Sequence, residues 1–150
     1  MNKILCTLAV LVLSLTGSSP AADLKNFPSQ DTVGTWTFFI KLADGPPCQC
    51  VQIGRLHADG TFDGPANDHQ AGEAVGMWQQ TGLREVTFAI LQSSIKPDGS
   101  AGGEYVIHAK ISLNAASDQG TGSGTMQLVD NGGNAISSGS FTIKAVKLKL

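Results

Sequence analysis

The chain has 150 residues, one domain's worth, and a composition of 41% apolar and 15% charged residues, which excludes a disordered polymer. Its 18 glycines follow no triplet period, which excludes collagen, and a formal net charge of −2 argues against a nucleic-acid partner.

Residues 1–22 read as a secretory signal. Lys3 supplies the positive start, Ile4 to Leu15 the apolar stretch, and Ser19-Pro20-Ala21-Ala22 a small-residue cleavage site. The apolar run is shorter than the ~20 residues of a spanning helix, so no membrane span is expected. Cys6 lies near the start of the apolar run, ahead of its core, instead of directly following the small residues, so a lipid anchor is not expected either. The competing reading of this segment is a buried N-terminal helix. Export implies a secreted or periplasmic protein whose residues 23–150 form a single β domain.

An oxidising compartment changes the meaning of Pro46-Pro47-Cys48-Gln49-Cys50. Two strand residues at i and i+2 lie roughly 6.5–7 Å apart, the limit for a disulfide between Cys48 and Cys50. Three readings stand: a local staple beside the Pro-Pro turn, a redox-active or metal-binding pair, and two free thiols. Without a second cysteine pair a zinc ribbon is excluded.

From Val33 onward turn dipeptides punctuate the chain: Asp44-Gly45, Asp59-Gly60, Asp63-Gly64, Asp98-Gly99 and Asn131-Gly132. Such pairs favour tight hairpins because both residues tolerate positive φ. Between them the apolar period is two. Trp36, Phe38, Ile40 and Leu42 share one phase, as do Val86, Phe88 and Ile90, and as do Tyr105, Ile107, Ala109, Ile111 and Leu113. The pattern predicts eight strands, near 33–42, 48–57, 61–65, 73–81, 84–93, 103–114, 121–130 and 138–149. Residues 66–72 read as a loop. Phe141, Ile143 and Ala145 occupy the phase opposite to Val146, Leu148 and Leu150, which predicts a β-bulge near Ala145. Gly120, Gly122 and Gly124 leave one strand face bare, for a bend or a close backbone approach.

Eight consecutive antiparallel strands leave two edges, and closing the sheet removes them. The predicted fold is therefore all-β, an eight-stranded antiparallel up-and-down β-barrel. An immunoglobulin-type sandwich is the competitor, but its Greek-key connections do not suit short local hairpins.

Gly34-Thr35-Trp36, at the start of the first strand, resembles the Gly-x-Trp opening of the calycin barrels, the lipocalins, fatty-acid-binding proteins and avidins. The resemblance implies that Gly34 and Trp36 close one barrel end and that the Trp36 ring stacks on a cation from the last strand, Lys144 or Lys147. Leu56-His57-Ala58-Asp59-Gly60-Thr61-Phe62 and Gly76-Met77-Trp78-Gln79-Gln80-Thr81-Gly82 are similar to stretches of small uncharacterised bacterial barrel proteins. The long-range lipocalin disulfide, the avidin biotin contacts and the basic pair that grips a fatty-acid carboxylate have no counterparts here.

Reactive groups are sparse. His57, His69 and His108 show no metal-binding spacing, and His108 falls on an outward phase, so no metal and no cofactor are expected. Asp44, Asp59, Asp63 and Asp98 each precede glycine and read as turn formers, while Glu85 and Glu104 stand at strand starts as rim carboxylates. Phe38, Trp78, Phe88, Tyr105, Met126 and Phe141 fall on inward phases of six strands and could line an apolar pocket or fill a solid core. The leading expectation is a non-catalytic barrel that binds a small hydrophobic molecule. The alternatives are a small barrel enzyme of the cyclase or isomerase type, using Glu85, Glu104 or Tyr105, and a solid-core interaction module.

Overall fold

A computed structural model describes residues 31–44, 50–66 and 71–149. The expected signal segment, Cys48 and His69 lie outside the described residues. Eight strands follow in order: β1 Gly34–Leu42, β2 Cys50–Leu56, β3 Thr61–Gly64, β4 Ala71–Gly82, β5 Glu85–Ile95, β6 Ala101–Leu113, β7 Gln119–Val129 and β8 Ala135–Lys147. Each pairs antiparallel with the next, and β8 pairs with β1, so the sheet closes into the expected up-and-down barrel. No helix among the described residues is long and apolar enough to cross a membrane.

The period-two pattern sets which residues face inward. Trp36 and Phe38 from β1, Leu56 from β2, Phe62 from β3, Ala74 and Trp78 from β4, and Val86 and Phe88 from β5 are buried together. Ile111 and Leu113 from β6 and Phe141, Ile143 and Ala145 from β8 complete this core. On β7 the inward phase begins with Gly120, Gly122 and Gly124 and continues with Met126 and Leu128. A Cβ on Gly122 would stand 2.0 Å from the Lys110 carbonyl oxygen, and one on Gly124 would stand 2.5 Å from the Phe141 ring. The bare face therefore serves close approach to β6 and room for Phe141.

Three local expectations are corrected. β8 keeps continuous register with β1 and with β7 across Ala145, so there is no bulge there; the β7–β8 irregularity lies between Leu128 and Val129. The inward phase of Phe141, Ile143 and Ala145 is instead continued by Lys147, whose flexible stem lets its ammonium leave the barrel end. Asp63-Gly64 is no turn but the second half of β3, with Asp63 opposite Arg55. Ala71 and Gly72 belong to β4 rather than to a loop.

The hairpins also differ from the expected two-residue form. In the connections at 57–61, 96–100 and 130–134 the positive φ belongs to a glycine alone: Gly60 at 85°, Gly99 at 83° and Gly133 at 81°. Each glycine N–H donates to the carbonyl three residues back, at His57, Lys96 and Asp130. These are three-residue-loop hairpins, a tight turn followed by a left-handed glycine. The aspartates act through their side chains. Asp59 accepts from the Thr61 N–H at 2.9 Å, Asp98 from the Ser100 N–H at 2.9 Å and Asp130 from the Gly132 N–H at 2.8 Å.

Candidate functional site

One end of the barrel is closed by side chains. Trp36 is 1% exposed, and its indole Nε1–H donates to the Thr32 carbonyl at 3.0 Å. Lys147 lies opposite Trp36 in the β1–β8 ladder and donates from Nζ to the Asp31 carbonyl at 2.7 Å. Gly34 has φ +138°, and a Cβ there would come within 2.9 Å of the Lys147 Cε. Gly34, Trp36 and Lys147 thus meet at this end, with the glycine making way for the lysine stem. Lys144 does not join them; it faces outward from β8, opposite Phe39. Trp78 lies at the same end, its Nε1–H donating to the His57 carbonyl at 3.0 Å and its N–H to the Gly60 carbonyl at 2.8 Å.

Phe38, Phe62 and Phe88 pack edge-to-face as a triangle, with ring centroids 5.8–6.2 Å apart. Beyond this triangle, toward the opposite end, lies an interior cavity of about 50 Å³. Its wall includes the triangle, Phe141, and the isoleucines Ile40, Ile90, Ile107 and Ile143. Its polar side chains are Gln52 and Gln92. One inward position further along β1 and β6, a second crevice of about 170 Å³ is lined by Leu42, Asp44, Tyr105, Met126 and Leu128, with the β8 segment Ser137–Ser140.

The six residues placed inward by sequence periodicity are therefore split. Phe38, Phe88 and Phe141 line the cavity, Tyr105 and Met126 line the outer crevice, and Trp78 belongs to the closed end. Periodicity identifies a face but not a height along the barrel axis, which depends on strand register. Gln52 and Gln92 escaped sequence reasoning, although both continue inward phases: Gln52 that of Gly54 and Leu56, Gln92 that of Phe88 and Ile90. The available signal was an amide on an otherwise apolar phase.

The two glutamines form one network. Gln52 Nε2 donates to the Ile53 carbonyl at 2.9 Å and the Pro65 carbonyl at 3.1 Å. Gln92 Nε2 donates to Gln52 Oε1 and to the Gly72 carbonyl, each at 3.1 Å. Gln52 is buried, and these bonds offset its desolvation.

Titratable groups lie elsewhere. Glu85 forms an ion pair with Lys110 at 2.9 Å on the outer surface, and Glu104 and His108 are exposed. Outside the closed end, Asp63 accepts from Arg55 at 2.7 Å and contacts His57 Nε2. The His57 hydrogen bond, then Arg55, holds its carboxyl below the ordinary value. Cys50, the first residue of β2, is disulfide-bonded, and its partner lies outside the described residues. Among the described residues no three His, Cys, Asp or Glu side chains gather where they could hold a metal.

No protein-family model, curated protein or solved structure matches this chain.

Proposed function

We propose that the chain is a secreted or periplasmic, calycin-like barrel that binds a small hydrophobic molecule in its interior without catalysing a reaction. The observation that carries this reading is the apolar interior cavity beside the Phe38–Phe62–Phe88 triangle, with two amides at its polar side. Ligand sites favour such a setting, a mostly apolar enclosure with a few placed polar groups. The calycin likeness is supported by the closed eight-stranded barrel and by the Gly34–Trp36–Lys147 cluster at its sealed end. Export is supported by the Lys3, apolar and small-residue sequence of the first 22 residues.

Native mass spectrometry of the chain purified from its own host tests the reading, with Ala74→Leu as the control. Ala74 is 2% exposed and lines the cavity, so a larger side chain fills the void from within. A small apolar molecule that accompanies the natural chain and is absent from Ala74→Leu is the expected result. A chain that emerges ligand-free, with Ile40, Ile90, Ile107 and Ile143 methyl resonances unmoved by any small apolar compound, overturns it.

A further inference from the structure

We propose that the cavity selects a ligand bearing a neutral hydrogen-bond donor, an alcohol by chemical class, and that Gln92 Oε1 receives that donor. The inference rests on the ligand-binding reading above and specifies its chemistry. It follows from the direction of the hydrogen bonds in the glutamine pair. Both partners of Gln52 Nε2 are main-chain carbonyls, which accept and never donate, so the amide cannot be turned around. Gln52 must then present its oxygen to Gln92, and that oxygen requires a donor, which is Gln92 Nε2. The second Gln92 N–H is committed to the Gly72 carbonyl. All four amide hydrogens of the pair are therefore used within the protein.

What remains is acceptor capacity. Gln92 Oε1 has no hydrogen-bond partner among the described residues, and Gln52 Oε1 has a second lone pair. Every other side chain lining the cavity is apolar. A carboxylate or ketone entering here would meet oxygen and hydrocarbon, losing its water without replacement. A protonated amine would find a hydrogen bond but no counter-charge in the wall. A hydroxyl finds an acceptor oxygen on a cavity-lining amide whose nitrogen is already committed, and its carbon body finds the isoleucines and phenylalanines. The volume restricts that body to a few carbon atoms, since about 50 Å³ is well below the ~150 Å³ void that admits benzene.

Propan-2-ol and acetone test the proposal, because they share a carbon skeleton and differ in donor against acceptor. Xenon serves as the probe without polarity. Binding to the full chain is read from the methyl resonances of Ile40, Ile90, Ile107 and Ile143. The expected result is that xenon shifts these methyls and propan-2-ol binds about tenfold more tightly than acetone, the scale of one hydrogen bond. In Gln92→Met the preference is expected to vanish while xenon still binds. The ratio on the unmodified chain decides the matter even if that variant does not fold. Xenon binding with acetone equal to or tighter than propan-2-ol overturns the donor assignment and leaves the cavity reading standing. No response to any of the three overturns both.

Discussion

Gly99 has a φ of +83° with open space where a Cβ would stand, so its requirement is conformational alone. Gly99→Ala is expected to cost ~1–2 kcal/mol, the penalty of a left-handed L-residue, with Gly99→Asn costing less. Gly54 presents the opposite case. Its φ is ordinary, but a Cβ would stand 2.3 Å from the Phe62 ring, so Gly54→Ala should cost ~1–3 kcal/mol by overpacking the aromatic triangle. Urea midpoints of the variants separate the two mechanisms when Phe62→Leu is added, since it relieves Gly54→Ala and leaves Gly99→Ala unchanged. The two tryptophans are expected to behave alike. Trp36 and Trp78 both seal one end with their indole N–H groups satisfied by main-chain carbonyls, so each Trp→Ala should cost ~3–5 kcal/mol. Equal stability losses with unchanged ligand affinity in Trp78→Ala would confirm its place in the seal.

The hairpins make an acid-sensitive set. Hydrogen bonds from Thr61 lower the Asp59 pKa from its ordinary 3.8, those from Ser100 do so for Asp98, and those from Asn134 and Gly132 for Asp130. Lys149 and Asn114 act likewise on Asp118. A depressed folded-state pKa means the unfolded chain takes up protons first, so this stabilisation is complete above the ordinary value and is lost as pH falls through the lower folded values. Melting temperatures are therefore expected to drop below about pH 4, and less steeply in Asp59→Asn with Asp98→Asn. Most strands were legible because one wet face and one buried face impose strict alternation, as in Trp36 to Leu42 and Val86 to Ile90. Turn chemistry was legible in kind but not in detail. Asp-Gly marks both a two-residue turn and a turn with a following left-handed glycine, and Asp63-Gly64 carries the same letters within a strand. The site was half legible, because Gln52 and Gln92 become a pair only once β2 and β5 face each other across the closed interior.

At the scale of the whole barrel the shortest strand marks the weakest seam. β3 pairs with β2 through Arg55–Asp63 and Leu56–Phe62, and above them Gln52 bridges the Ile53 and Pro65 carbonyls with its side chain. Amide hydrogens in β3 should exchange before those of β6, which is paired along nearly its whole length on both sides. Gln52→Ala should speed exchange across β2 and β3 by about tenfold, the worth of a buried hydrogen bond. Two strands away, the seam between β1 and β8 joins the first and last strands of the barrel. The Lys147 ammonium holds the Asp31 carbonyl at 2.7 Å, so the beginning and the end of the barrel lie side by side. Chain continuity at this seam is thus geometrically interchangeable with a short linker. A circular permutant that joins these ends through a few glycines and opens between Asp98 and Gly99 should fold to the same barrel. Because β1–β8 pairing joins the first strand of the barrel to the last, the joined chain would close that seam locally and should fold faster than the natural order.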